Sequence, residues 1–208
     1  MDNKPILEAC VETLEQAILA EDCGADRIEL CADLSVGGLT PTPELLVKAK
    51  AAISIPIMAM ARPRGGNFIY NKHELREIKS TIDWLKNSGV YGVVFGFLTK
   101  ENLIDLETTK QMVDYAYPLQ VTFHKAIDLT PNPVEAAFEL SAIKGIQRIL
   151  TSGGKETALE GMHHLKEMQK AVKGKLTILV AGKVTKENLD AIHTEIGANE
   201  YHGRRIVF

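Results

Sequence analysis

Four times in this chain a glycine stands three residues ahead of a short apolar run: Gly24 in GADRIEL, Gly89 in GVYGVVFG, Gly145 in GIQRILTSG and Gly197 in GANEYHG. Glycine accepts the left-handed conformation that closes the last turn of a helix, so a glycine at this fixed offset marks a handover from helix to strand. Between the apolar runs lie amphipathic stretches of about ten to eighteen residues, the alternation of parallel βα units. The pattern predicts strands at 6–10, 27–30, 56–61, 92–96, 120–124, 148–151, 177–181 and 200–202. Eight units within 208 residues predict an α/β fold, a compact (β/α)8 TIM barrel with short loops and one domain over 1–208. Pro41, Pro43, Pro131 and Pro133 fall at or just before helix starts, where a missing N–H costs little.

Ile206, Val207 and Phe208 follow the eighth strand directly, which predicts that the final helix is missing. The flank it would cover is expected to be apolar and to require a neighbouring copy, making the protein a homo-oligomer, a dimer or tetramer.

Parity along each strand separates the two faces. Placing Ile28 and Leu30 against the helices turns Arg27, Glu29 and Cys31 into the barrel. The same rule turns Glu8 and Cys10 inward from the first strand, Met58, Met60 and Arg62 from the third, Thr122 and His124 from the fifth, and Glu200 and His202 from the eighth. Barrel interiors are usually filled by branched apolar side chains, and a buried charge must be paired or neutralised. Two explanations stand side by side. Glu8, Arg27, Glu29 and Arg62 form an internal salt-bridge layer, or the cluster of Cys10, Cys31, Arg62, His124, Ser152 and His202 marks an active site at the C-terminal mouth.

Several loops suit an anion. Arg62-Pro63-Arg64-Gly65-Gly66 offers two guanidinium groups for a carboxylate or phosphate. Thr151-Ser152-Gly153-Gly154 offers backbone N–H groups, with Ser152 and Gly153 as the candidate contacts, and Ala181-Gly182-Lys183-Val184-Thr185 follows with Lys183 as a cation and Thr185 as a helix cap. Ordinary turns account for such loops equally well. His124-Lys125-Ala126-Ile127-Asp128 supplies a general acid or base, with Asp128 orienting the imidazole or the lysine. His73, His163, His164 and His193 read as solvated helix surface, Cys23 as a small buried residue, and Trp84 with Ile78, Ile82 and Leu85 as core.

Cys10 and Cys31 end adjacent strands at the same parity, and two soft thiolates suit Cu(I), with Met60 or His124 as further donors. Zinc is disfavoured, because no CxxC or HxxxH pairing occurs. Two free thiols packing the mouth fit the residues as well.

Composition removes other classes. A net charge of −3 and a pI near 6.1 carry no basic footprint for nucleic acid. The polar start, Met1 to Lys4, lacks the basic and apolar regions of an export signal, and no apolar stretch reaches membrane-spanning length. With three cysteines, the expectation is a cytoplasmic protein with free thiols and neither nucleic-acid nor membrane partner.

The chain resembles the CutC family, named for copper homeostasis, over nearly its whole length. The matching motifs are Glu8-Ala9-Cys10-Val11, Ala25-Asp26-Arg27-Ile28-Glu29-Leu30-Cys31, Gly37-Gly38-Leu39-Thr40-Pro41, Arg62-Pro63-Arg64-Gly65-Gly66, Thr122-Phe123-His124 with Asp128, and Leu150-Thr151-Ser152-Gly153. The resemblance implies a barrel, cytosolic location, self-association and a copper site on Cys10 and Cys31. The chain departs from the family after the seventh strand, where Ala181-Gly182-Lys183 replaces a usual glycine run, and its short ending looks like a compact subgroup. Two functions follow as expectations: copper handling with Cu(I) as the bound ion, or an enzyme acting on a small phosphorylated or carboxylate metabolite. In the second, Arg62 and Arg64 bind the anion, aided by Ser152, Gly153, Lys183 and His202, while Glu29, His124 and Asp128 move protons.

Overall fold

The computed structural model describes residues 4–208, so residues 1–3 of the polar start lie outside the described residues. Eight parallel strands close on themselves in chain order: β1 (Ile6–Val11), β2 (Arg27–Leu30), β3 (Ile57–Met60), β4 (Gly92–Phe95), β5 (Gln120–Phe123), β6 (Ile146–Thr151), β7 (Thr177–Val180) and β8 (Glu200–Gly203). Ile6–Gly203 thereby spans one barrel, with β8 pairing back onto β1 through Glu8 opposite His202. Seven α-helices alternate with the strands among the described residues: α1 (Leu14–Asp22), α2 (Pro43–Ala52), α3 (Lys72–Ser88), α4 (Leu106–Ala116), α5 (Pro133–Leu140), α6 (Met162–Ala171) and α7 (Leu189–Ile196). No helix follows β8, and none is long and apolar enough to cross a membrane.

Local chemistry sets the helix boundaries. Thr42 caps α2 ahead of Pro43, Asn132 caps α5 ahead of Pro133, and Asn71 with Glu74 forms a reciprocal capping box on α3. Gly89 and Gly197 end α3 and α7 at φ of 67° and 63°, each donating its N–H back to the last turn. The expected cap at Thr185 is not found; Asn188 opens α7, and its side chain instead accepts from the Thr185 N–H.

Outward strand residues and inward helix faces make the main core. Ile78, Ile82 and Leu85 of α3 are buried as expected, while Trp84 is half-buried against them. Cys23 corrects the expectation of burial: it is the C-cap of α1 and is exposed where the helix ends. His73 and His163 are exposed, but His164 and His193 are half-buried, with Nδ1 of each bonded to Gly153 O (2.8 Å) and Tyr201 Oη (3.0 Å).

The flank beside β8 is not bare. Leu7, Ala9 and Tyr201 are 8%, 0% and 0% exposed within the single chain, and Ile206 and Val207 fold back into the core.

Candidate functional site

The interior salt-bridge layer exists, with altered membership. Glu8 is ion-paired to Arg27; Arg27 Nη2 lies 2.5 Å from Glu200, and Arg148 Nε lies 2.9 Å from the same carboxylate. All four are buried and plug the N-terminal half of the barrel. Of the expected members, Arg62 is not in the layer, because it sits past the end of β3 at the opposite mouth. Glu29 lies one inward position above Arg27, beside the thiols.

Above the plug opens a cavity of about 600 Å³, lined among others by Cys10, Glu29, Met60, Arg62, Phe68, His124, Leu150, Lys183, His202 and Arg204. Cys10 Sγ and Glu29 Oε2 are 3.3 Å apart, and Cys31 Sγ is 3.5 Å from the same oxygen. Cys31 packs behind them with Leu34, Met58 and Met60, and is not part of the cavity wall. His202 bridges downward, Nδ1 to Glu8 at 2.9 Å, with Nε2 3.7 Å from Glu29.

Burial opposes a charge on His202, but Glu29, Cys10 and Glu8 outweigh it and hold the imidazole pKa well above its usual value. Burial likewise works against the Glu8 carboxylate, yet His202 and Arg27 bring it down to about 2. The Cys31 thiol, and then His202, hold Cys10 well below the usual thiol range despite burial. Cys10, with burial and Glu29, pushes Cys31 well above it. Burial and the charge on Cys10 raise Glu29 well above the carboxylate range. Of the two thiols Cys10 is thus the one more readily ionised, with His202 the favoured cation beside it.

Across the barrel, His124 follows β5. Its Nδ1 accepts from Ala126 N at 3.3 Å, which leaves Nε2 to carry the proton, and Nε2 has no partner. Burial first, then the Arg62 charge, lowers its pKa to about 3, so the ring is neutral. Phe68 packs between the two groups, its ring tilted 56° to that of His124 at 4.6 Å and 4.7 Å from the Arg62 guanidinium. Arg62 spends Nη1 on the carbonyls of Val36 and Gly38 and Nη2 on Gly66, leaving its buried Nε unbonded. Glu29 Oε1 is likewise without a partner. Each is a buried polar atom whose solvation has been lost and not replaced within the protein.

Two expected site residues are spent elsewhere. Arg64 points away from the cavity, paired to Glu74 of α3 at 2.5 Å and bonded to the carbonyls of Gly65, Asn67 and Ile69. Asp128 makes no bond to the His124 ring. Its carboxylate accepts from the N–H groups of Ser152 (3.1 Å) and Gly154 (2.8 Å), from both the Thr151 and Ser152 hydroxyls, and from Lys125. The backbone nest after β6 is thus filled by the protein's own anion, while the Gly153 N–H goes to Thr151. Ser152 and Gly153 use these groups to hold the loop. Lys183 reaches the cavity rim, paired with Glu156 and with φ of 55°.

Sequence reasoning missed Phe68, which lies in an irregular loop with no periodicity to reveal it. It also missed Arg148, for which parity gave a signal, since Arg148, Leu150 and Ser152 alternate along β6.

As a cation site, the donors of Cys10, Glu29 and Cys31 lie within 4.8 Å of one another, as do those of Glu8, Glu29 and His202. Two thiols suit a soft ion, whereas the neighbouring imidazolium and the high pKa of Cys31 and Glu29 oppose one, because ligands must first lose their protons.

A model of the CutC family matches residues 5–207. Human and mouse proteins named copper homeostasis protein cutC homolog are each 41% identical over 200 residues, which is 96% of this chain and 73% of theirs. A crystal structure of the putative copper homeostasis protein CutC from Streptococcus agalactiae superposes with a TM-score of 0.91 at 33% identity, covering 97% of this chain and 99% of that one.

Proposed function

The chain belongs to the CutC family, and from that premise we propose that it is an enzyme that moves protons on a small anionic metabolite held at the barrel mouth. One observation carries the reading: Glu29 Oε1, Arg62 Nε and His124 Nε2, each buried and without a partner, belong to residues lining the same cavity. An apolar-walled cavity with a few convergent polar groups of perturbed pKa is how a substrate is oriented and a proton moved. Cys10 and Glu29 lie on β1 and β2, and His124 follows β5, on the opposite wall.

In this arrangement Arg62 Nε holds the acid group of the substrate. The Cys10 thiolate takes a proton from carbon beside a carbonyl, and the released electron pair moves onto the carbonyl oxygen. The neutral His124 Nε2–H donates to that oxygen, as a pre-placed dipole does for a developing oxyanion. Glu29 and His202 set the proton inventory of Cys10.

The test is exchange. The protein is incubated in D2O with a deproteinised small-molecule extract, and anionic species are followed by mass spectrometry. The expected result is that at least one carboxylate or phosphate ester gains a deuteron with the native protein and fails to do so with His124→Phe or Cys10→Ala. No enzyme-dependent gain in any anionic species overturns the reading.

The 4.8 Å grouping of Cys10, Cys31 and Glu29 favours a second reading, in accord with the names of the relatives: Cu(I) held as cargo by the two thiols in a reducing compartment such as the cytoplasm. Titration of Cu(I) against a tight chelator tests it. Equal weak binding by the native protein and by the Cys10→Ser, Cys31→Ser variant ends it.

A further inference from the structure

The rim of the cavity on the β7 and β8 side carries a feature that the proton chemistry leaves unused. Gly182, Lys183 and Val184 line the cavity, and their backbone N–H groups donate to no acceptor among the described residues. The residues on either side are satisfied, Ala181 N by Thr151 O at 2.8 Å and Thr185 N by Asn188 Oδ1 at 2.8 Å. Three successive unpaired N–H groups leave donors that only solvent or a ligand can satisfy.

The loop is held in place. Its carbonyls are fixed, Gly182 O by Ala158 N at 2.9 Å and Lys183 O by Asn188 Nδ2 at 2.9 Å. Lys183, a residue with a side chain, is kept at φ of 55°, a left-handed conformation that costs energy and persists only where its surroundings enforce it. The end of β8 packs onto it so closely that a Cβ on Gly203 would meet Val184 O at 2.1 Å.

The charge is of the matching sign. Arg204 and Arg205 line the same rim, and neither pairs with a carboxylate among the described residues; Arg204 reaches across the mouth to the Leu34 carbonyl. Glu156, a carboxylate of the cavity lining, is taken by Lys183. Deeper in the same cavity, Arg62 Nε and His124 Nε2 are the buried unpartnered donors, so the cavity offers a second polar end.

We infer that the loops after β7 and β8 form a phosphate subsite, gripped by the N–H groups of Gly182, Lys183 and Val184 and by the Arg204 and Arg205 guanidinium groups. The ligand is a phosphate monoester of a small metabolite. Its phosphate sits at the rim while its other end reaches Cys10, Glu29 and His124. The identity of that other end rests on the proton-transfer reading; the phosphate grip does not. Backbone N–H groups and arginine together complement the three terminal oxygens of a monoester, a demand that a carboxylate does not make.

The experiment is an NMR titration of the uniformly 15N-labelled chain with three probes: inorganic phosphate, glycerol 3-phosphate and malonate. Both phosphates are expected to shift the Gly182, Lys183 and Val184 amides along a saturable curve, with the ester binding more tightly than the free ion. Malonate is expected to leave these amides in place. Arg205→Ala, at an exposed position, should weaken phosphate binding by about tenfold without altering the spectrum elsewhere. The subsite is overturned if phosphate moves only scattered surface amides, if malonate shifts the three amides equally, or if Arg205→Ala leaves the affinity unchanged. The two proposals fail separately. Phosphate binding without deuteron exchange removes the proton-transfer reading alone, whereas exchange on an unphosphorylated acid without phosphate binding removes the subsite alone.

Discussion

His124 shows how much a single environment decides. The ring is 4% exposed, packed against Phe68, and its neighbour Arg62 is itself a cation, so both burial and charge disfavour protonation. A histidine that stays neutral to about pH 3 donates a hydrogen bond throughout the physiological range without switching its charge. The same fact fixes a stability effect. In the unfolded chain the imidazole takes up a proton near pH 6.5, and in the folded one it does so only near pH 3. The unfolded state therefore binds more protons in that window, and stability falls as the pH falls through it, by up to about 1.4 kcal/mol per pH unit for this one group. Urea denaturation between pH 6.5 and pH 4 should show a slope in His124→Gln that is shallower than native by about one proton. Equal slopes would mean that the folded protein protonates this ring normally.

At the level of the element, Asp128 joins the 3-10 turn Lys125–Leu129 to the end of β6 by accepting from Thr151, Ser152 and Gly154. Its replacement by alanine leaves the Ser152 and Gly154 N–H groups without an acceptor and Lys125 without its counter-ion. We expect Asp128→Ala to cost about 3 kcal/mol in urea denaturation and to speed amide hydrogen exchange at Ser152 and Gly154. A positioning role toward His124 would instead change activity with exchange unaltered. Of the two partners expected for Asp128, the imidazole or the lysine, it pairs with Lys125 at 2.5 Å and not with His124, because spacing along a turn does not say which side chain satisfies which group. Arg62 and Arg64 show the same limit: two arginines in one Arg-Pro-Arg-Gly-Gly motif look equivalent, but only Arg62 keeps the inward parity of β3, while Arg64 turns to Glu74. Strand parity placed Glu8, Cys10, Arg27, Glu29 and His202 inside correctly, since each lies in a regular ladder. The same parity, applied to Arg148, Leu150 and Ser152 along β6, places Arg148 inside as well, although the strand begins two residues earlier than expected.

Across the whole molecule, the polar plug and the mouth are one electrostatic system. Glu8 is the joint: its carboxylate meets Arg27 below and His202 above, and His202 in turn helps to hold Cys10 ionised. A buried ion network of this kind adds little net stability over apolar packing, yet breaking it by removing one partner is costly, since the remaining charges stay desolvated. Arg27→Met should therefore cost about 3–5 kcal/mol, although it fills the same space with an apolar chain. Glu8→Gln in the native background should also destabilise, because it deprives both Arg27 and His202 of a charge partner. In the Arg27→Met background the same change removes a carboxylate that has already lost its guanidinium, so its cost should be smaller by about 0.5–3 kcal/mol. Urea denaturation of the two single variants and the double variant measures that difference directly. Strict additivity would mean that the two charges do not interact across the plug, whereas the expected coupling measures the ion pair that holds Glu8 in place beneath His202.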